Sequence, residues 1–541
     1  MNRARILVLM LAFALIPALP AAAAPFSSDN VELLTKLPET AGAASARFVG
    51  KNMYVSTWKG LSVFDISKPE DPQRVGFLPL PHFENEDVDA AGNVVVISND
   101  PSEGIGLLYI IDVSNPATPM IASVMPNGIT GKATVNDPLG NSSRTGHIAN
   151  CLQACKYLWL TGTDQGVVVI DLRDPKNPKF VNAFQMPKPK KYGEETDPKK
   201  INPGFTHDVF VDRSGIAWVT GRDGTFGYDA TDPVHPKLVY RSDENVTNSG
   251  LSGPDGDGQG PLDFLHHNSI RTDIQLAQAA PTGVADAGGV QGVAEKSPAQ
   301  AAPKPKAKKR ASCRRRHGES RKRAQKRCAK ARKRAKAKAR RSTVRAHAST
   351  TEGGLGDVVA ITEEDYTRPT CAGQGSVQTW QIKPGETNSD GTTKLTMLDQ
   401  WTTELNELSN QTGRSPATGN CSAHWFDEAN GVLAQGWYDQ GVRFMDISNP
   451  RDIRQVGYWV TAGTFWGAYY APTDPKRQIV YGVDSVTGID VLRFDRHGKP
   501  MGGGKTVRAP VLNRWWTTND GFKRFLASSK WGFVCPILAQ I

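Results

Sequence analysis

The chain has 541 residues, with 52 Gly, 36 Pro and a formal net charge of +11. This Gly and Pro content, with little helical periodicity, excludes a helical bundle or coiled coil, although the length alone would allow several domains. The charge is misplaced as a guide to the folded body: residues 304–345 hold 22 of the 65 Lys and Arg and a single acid, Glu319, a charge of +21 that leaves the remainder at −10.

Residues 1–24 read as a signal peptide. Arg3 and Arg5 precede an apolar run from Ile6 to Leu19, and AAAAP (21–25) supplies small residues for cleavage. The run is too short for a spanning helix, and no other apolar stretch approaches 18 residues. The expectation is an exported protein, secreted, periplasmic or at the cell surface, with no transmembrane segment in its mature form.

A phrase then recurs along the chain: an apolar strand, Asp, and a Pro-containing turn. It reads FDISKPEDP from Phe64, IDVSNPATP from Ile111, IDLRDPKNP from Ile170, YDATDPVHP from Tyr228 and MDISNPRDI from Met445. Asp and Pro stop the strand and turn the chain, and another short strand follows. Such regular spacing predicts blades of a β-propeller at about 45–80, 84–126, 145–186, 205–242 and 420–460. Two more are degenerate. One starts at HHNSIRTD (266–273) and resumes at GDVVAITEEDY (356–366) and VQTWQIK (377–383). The other is 465–495, which lacks an outer strand. VELLTKLPE (31–39) reads as an orphan outer strand that closes this last blade, giving seven.

On these motifs the chain resembles the LVIVD-repeat proteins, named for strands such as VVVID (167–171), over roughly residues 30–498 apart from one insertion. The resemblance implies an all-β propeller and is silent on activity, because one fold hosts many functions. The organisation expected is a signal peptide (1–24), a first propeller part (25–274, blades 1–4 and the start of blade 5), an insertion (275–354), a second propeller part (355–498) and a C-terminal extension (499–541) packed on the propeller.

The insertion is Ala/Gly/Pro-rich, then Lys/Arg-rich. It has almost no large apolar residues and is expected to be disordered. Residues 304–345 suit binding to a polyanion, or are a tolerated surface expansion. Sequence-specific nucleic acid is not expected, since neither a DNA-binding fold nor interleaved aromatics accompany the charge.

Seven Cys in an exported chain permit disulfides. Cys151 and Cys155 can close a small loop, and Cys371 and Cys421 flank blades five and six. The C-x3-C spacing also suits a metal, but no second thiol pair lies nearby. Cys313, Cys328 and Cys535 are left unassigned.

The candidate chemistry lies in the histidines. Of ten, four fall at the start of the first strand in successive blades: His147, His207, His267 and His424. First strands line a propeller channel, so these positions converge near the axis. Four neutral imidazoles suit Fe, Cu or Zn. The arrangement is similar in kind to propeller enzymes with His-bound axial metals, such as carotenoid oxygenases and selenium-binding proteins, as architecture only. Glu84 or Glu86 in blade two and Trp466 in blade seven are expected at the same level. His266 competes with His267, because a one-residue slip reverses the face of a strand. Metal affinity is expected to fall below about pH 6 as the imidazoles protonate.

Other motifs carry less. GGGKT (502–506) departs from a phosphate loop, with Lys499 where Gly is needed. PDGDGQG (254–260) lacks the ligands of a calcium loop, so calcium is not expected. Glu363 and Glu364 in ITEEDY read as packing or solvent-facing. Trp515 and Trp516 belong to an aromatic tail over one propeller face. Two functions follow: a secreted metal-binding propeller whose ion would suit an oxidoreductase, or a non-enzymatic binding or scaffold propeller for an unidentified small molecule or protein.

Overall fold

The computed structural model describes residues 26–80, 85–99, 106–126, 146–163, 165–187, 206–221, 224–242, 265–276, 355–364, 371, 374–412, 420–461 and 463–497. Residues 1–24, read as a signal peptide, lie outside them, as do Glu84, PDGDGQG, most of the insertion, Cys313, Cys328, GGGKT and the C-terminal segment with Cys535. Two compact units divide the chain, Met1–Gln275 with Ser349–Ile541, and Leu276–Ala348. The first holds all the described strands; of the second, only Leu276 is described.

Twenty-nine strands follow in order. β1 (Phe26–Ser27) and β2 (Val31–Leu37) lead into blade 1, made of β3 (Ala43–Val49), β4 (Asn52–Thr57), β5 (Gly60–Asp65) and β6 (Gln73–Pro79). Blade 2 is β7 (Asn85–Ala91), β8 (Val94–Asn99), β9 (Leu107–Asp112) and β10 (Met120–Pro126). Blade 3 is β11 (Ala149–Leu152), β12 (Tyr157–Thr163), β13 (Gly166–Asp171) and β14 (Lys179–Phe184). Blade 4 is β15 (Thr206–Val211), β16 (Ile216–Gly221), β17 (Gly224–Asp229) and β18 (Lys237–Arg241). Blade 5 is β19 (His266–Arg271), β20 (Val358–Glu363), β21 (Ser376–Thr387) and β22 (Thr393–Trp401), followed by helix α1 (Glu404–Thr412). Blade 6 is β23 (Phe426–Ala429), β24 (Val432–Gly436), β25 (Val442–Asp446) and β26 (Arg454–Val460). Blade 7 is β27 (Phe465–Tyr470), β28 (Ile479–Asp484) and β29 (Ile489–Phe494).

Each blade is an antiparallel meander, and β2 pairs with β29 from Val31↔Phe494 to Leu37↔Ile489, completing blade 7. β1 adds a short fifth strand to blade 6, Phe26 opposite Val460. Blades 4 and 5 also share a two-residue parallel contact between β18 and β22. The innermost strands touch in cyclic order, β3 to β7, β11, β15, β19, β23, β27 and back to β3. The described strands therefore form a closed, seven-bladed ring, which leaves no unpaired radial face.

The recurring phrase has a local cause. Asp65, Asp112, Asp171, Asp229 and Asp446 each accept the backbone N–H two residues on, at 2.8–3.0 Å. A second such turn follows at Asn115, Asp174, Asp232 and Asn449. Tandem Asx turns satisfy the backbone that leaves the third strand and aim it back along the fourth. Side-chain hydrogen bonds from Ser114, Arg173 and Thr231 hold Asp112, Asp171 and Asp229 below the usual carboxylate range. Between blades, buried third strands such as Val167–Ile170 and Leu108–Ile111 pack into neighbouring clusters. Inner-strand aspartates also bind blade to blade: Asp89 accepts Cys151 N–H at 2.7 Å, and Asp427 accepts Tyr470 N–H at 3.0 Å.

β19 and β20 pair from His266↔Glu363 to Arg271↔Val359 even though residues 277–354 intervene. Asp357 N–H donates to Ile274 C=O at 3.0 Å, so the ends of the intervening segment are already adjacent. Replacing 277–354 by a short linker is expected to leave the melting temperature unchanged or slightly raised, because a shorter loop costs less closure entropy. Calorimetry showing a large fall would mean that the segment packs on the ring.

Deleting residues 26–37 exposes β29 and β26 and removes the buried Val31 and Leu37. Their burial contributes about 3–6 kcal/mol together, so a fall in unfolding midpoint of about 10 °C is expected. An unchanged midpoint would mean that the ring does not depend on this closure.

Candidate metal centre

At the head of each innermost strand one extra residue interrupts the ladder. Ala44 lies between Ala43↔Thr57 and Ser45↔Ser56, and Glu86 between Asn85↔Asn99 and Asp87↔Ser98. His207 falls in the shift between Thr206 and Val209, His267 in the shift between His266 and Asn268, and Trp466 in the shift between Phe465 and Gly467. Blades 3 and 6 show the same pattern in hydrogen bonds. His147 N–H donates to Thr161 C=O while Thr161 N–H donates to Ile148 C=O. His424 N–H donates to Gly436 C=O while Gly436 N–H donates to Trp425 C=O. A β-bulge bends its strand and re-aims a side chain, and here it brings the histidines of four blades together. Of Glu86 only this backbone position is described.

Four consecutive blades place histidine at the bulge. The rings follow one another around the channel, with centroids 4.6 Å apart for His147–His207 and 4.0 Å for both His207–His267 and His267–His424. His147, His207 and His267 are fully buried, and His424 is 1% exposed. Gly162 makes room for this arc, since a Cβ there would stand 2.5 Å from His147 Cβ.

Hydrogen bonds set the tautomers. His207 Nδ1–H donates to His267 C=O at 3.1 Å, and His424 Nδ1–H donates to Trp466 C=O at 2.6 Å. Each therefore presents a bare Nε2 toward the centre. His207 Nε2 lies 3.1 Å from His147 Nε2, so without an ion the shared proton sits on His147. Neither ring nitrogen of His267 makes a hydrogen bond of good geometry; the Asn268 side chain is its weak polar neighbour.

Glu364 completes the centre. It stands one residue beyond β20, its N–H held by Leu265 C=O at 2.9 Å. Oε2 is 3.5 Å from His267 Nε2, and Oε1 is 3.8 Å from His424 Nε2. The Tyr438 hydroxyl donates to Oε1 at 2.5 Å. One ligand atom each from His207, His267 and Glu364 lies within 4.8 Å of the others. Two imidazoles and a carboxylate at this separation can hold a metal ion, with His147 and His424 flanking them.

Glu364, read as packing or solvent-facing, is buried rather than solvent-facing and stands beside His267 and His424. His266 is also corrected. The bulge turns His267 inward and leaves His266 facing between the blades, where Nδ1 contacts Thr225 Oγ1 at 2.8 Å and the ring meets the edge of Trp380. Trp466 stands at the bulge of blade 7, 5.2 Å from His424 in ring centroids. Cys151–Cys155 and Cys371–Cys421 are disulfide-bonded, with Cα separations of 4.4 and 5.4 Å, so neither pair offers thiolates.

Burial pushes His147 down to about 3. His207 is lowered by burial and by His147, His267 by burial and then by His207, His424 and His147, and His424 by burial. Farther along the inner strands, Arg47 faces Asp87, Asp89 and Asp208. Burial raises Asp87 to about 7 and Asp208 to about 6. Trp425 joins the two levels, its ring 4.4 Å from that of His424 and its Nε1–H donating to Asp208 at 3.2 Å.

The linkages oppose one another. An unfolded chain protonates its histidines near 6.5 while the folded one does not, so stability from these groups is lost as pH falls below that value. Asp87 and Asp208 take up protons in the folded state first, and they gain stability over the window from about 7 down to 3.8. For metal binding the consequence is direct. Imidazoles that remain neutral have no proton to displace, so metal content after dialysis is expected to stay level from pH 8 to about pH 5. Half-loss near the ordinary histidine value, as composition alone would suggest, would show that the rings are not buried together.

Residues 43–77 and 104–125 match the LVIVD repeat family. No curated protein sequence matches the chain. Among solved structures it is similar to the Cps50 (Swd1) β-propeller domain of Myceliophteria thermophila, at 8% identity over 86% of this chain and 100% of that one, with TM-score 0.47. A Lactobacillus plantarum protein is 7% identical over 87% of this chain and 100% of that one, with TM-score 0.41. A 6-phosphogluconolactonase-like protein from Bacteroides uniformis is 7% identical over 76% and 83%, with TM-score 0.41. With its repeat phrases, matched segments and ring of four-stranded sheets, the chain carries LVIVD repeats on an all-β propeller fold.

Proposed function

We propose that this protein is an exported propeller that binds a transition metal ion through His207, His267 and Glu364, with His147 and His424 as adjacent donors. The observation that carries the reading is His267. Its ring is fully buried, its nitrogens have only the Asn268 side chain as a weak polar partner, and Glu364 stands opposite. A buried, unsatisfied imidazole costs about 1–3 kcal/mol, and an ion bound to Nε2 would remove that penalty.

The donor chemistry narrows the ion. Neutral imidazole with carboxylate suits Fe, Cu or Zn, and two His with one carboxylate leave positions open for a further ligand. The carbonyls of His267 and Trp466, bonded to the far nitrogens of His207 and His424, orient these rings as metal-ligating histidines require. With iron or copper such a centre supports oxidoreductase chemistry. Export follows from residues 1–24; no helix among the described residues is long and apolar enough to cross a membrane.

A binding or scaffold role has its own support. Outer strands β6 and β10 expose Val75, Phe77, Ile121 and Val124, and Met120 is 61% exposed. Residues 304–345 would add contact with polyanions, weakened by salt.

Elemental analysis of purified protein reloaded with Fe(II), Cu(II) or Zn(II) separates the readings. About one ion per chain is expected. His207→Ala, His267→Ala and Glu364→Gln should each weaken affinity by about 10–100-fold or more, and His147→Ala and His424→Ala less. Stoichiometric binding that survives all three central substitutions, or no binding by the wild type, leaves the scaffold role in its place.

A further inference from the structure

The hairpin joining β24 to β25 in blade 6 is WYDQG (437–441). Trp437 N–H donates to Gly441 C=O at 2.8 Å and Gln440 N–H to Trp437 C=O at 2.7 Å, closing a tight loop. Gly441 has φ +85°, and a Cβ there would stand 2.1 Å from Trp459 C=O. Tyr438 adopts φ +28° within this loop. For a residue with a side chain this left-handed conformation costs roughly 1–2 kcal/mol, and such strain persists where the surroundings impose it. The imposition is visible: Tyr438 C=O accepts both Phe465 N–H at 2.9 Å, from blade 7, and Gly441 N–H at 3.2 Å.

The loop delivers Tyr438 to the metal centre. Its ring lies 4.8 Å from that of His424, and its hydroxyl is 2.5 Å from Glu364 Oε1. A short O–H···O bond to a carboxylate is among the stronger hydrogen bonds a side chain makes. It occupies the oxygen farther from His267 and leaves Oε2, 3.5 Å from His267 Nε2, turned to the ligand group. Across the bulge ring, Trp466 and Ala44 share one apolar cluster with Ile148, Trp425 and Tyr438. Among the described residues of that wall the Tyr438 hydroxyl is the oxygen nearest Glu364, and it is already bonded to it.

Building on the metal reading, we propose that Tyr438 is a positioning residue. It restricts Glu364 to one-oxygen ligation and so keeps a coordination position open, where a small Lewis base binds the ion. A carboxylate free to use both oxygens would chelate and fill that position. The blade 6 hairpin would thus separate a ligand-accepting centre from a closed structural one.

The test uses the full-length protein loaded with Co(II), whose visible absorption reports coordination number, and azide as the small Lewis base. Wild type is expected to show the strong absorption of a four- or five-coordinate ion, with a shift on azide binding. Tyr438→Phe should still take up one Co(II), but its visible absorptivity should fall about threefold or more as the geometry becomes more crowded. Azide should bind it about 10-fold or more weakly. Identical spectra and azide affinity in the two proteins would overturn the proposal. A wild-type Co(II) centre that is already six-coordinate, or one that ignores azide, would overturn it without any variant. Failure of wild type to bind Co(II) would instead strike the metal reading itself.

Discussion

The bulge at the head of each innermost strand is the constraint from which the centre follows. A regular strand alternates its side chains between its two faces, both of which are covered by neighbouring blades. The extra residue breaks that alternation once per blade and frees one side chain to point along the radius. Seven blades show seven such backbone positions, and those with described side chains are Ala44, His147, His207, His267, His424 and Trp466. Because the ring is closed, these positions are fixed relative to one another by the whole fold rather than by a local loop. A site built this way is preorganised, and its cost is spread over the buried clusters between blades.

Two levels of the channel wall have opposite electrostatic character. At the bulges burial keeps four imidazoles neutral, which is the state in which they are ligands. One or more residues inward the wall is charged, with Arg47 Nε 3.5 Å from Asp89 and near Asp87 and Asp208. Buried charges persist only when compensated. Here the compensation is partly structural, since Asp89 and Asp427 accept backbone N–H groups of the next blade. Trp425 touches both levels and couples the orientation of His424 to Asp208.

Much of this was legible in the sequence. The Asp-and-Pro phrase sets the end of the third strand through a turn whose hydrogen bonds recur in five blades, so the count and the closure by 31–39 could be read from it. The register of His147, His207, His267 and His424 was equally plain, because each precedes a turn and a second apolar strand. Glu364 was not legible. It follows the second strand of a blade split by about 80 residues, and a residue at that position points to the axis only if the strand ends at the channel mouth. Tyr438 just past β24 in blade 6 shows the same placement. Residues directly after second strands were therefore the signal available. The choice between His266 and His267 rests on one bulge, and nothing in HHNSIR announces where the ladder breaks.

What the centre does depends on whether an ion occupies the position that the three donors define. X-ray absorption at the K-edge of the ion, on the loaded full-length protein, tests this most directly. The account predicts a first shell of nitrogen and oxygen at about 2.0–2.2 Å, with outer-shell scattering from two or more imidazole rings. A shell of sulfur at about 2.3 Å, or light donors without imidazole scattering, would contradict it.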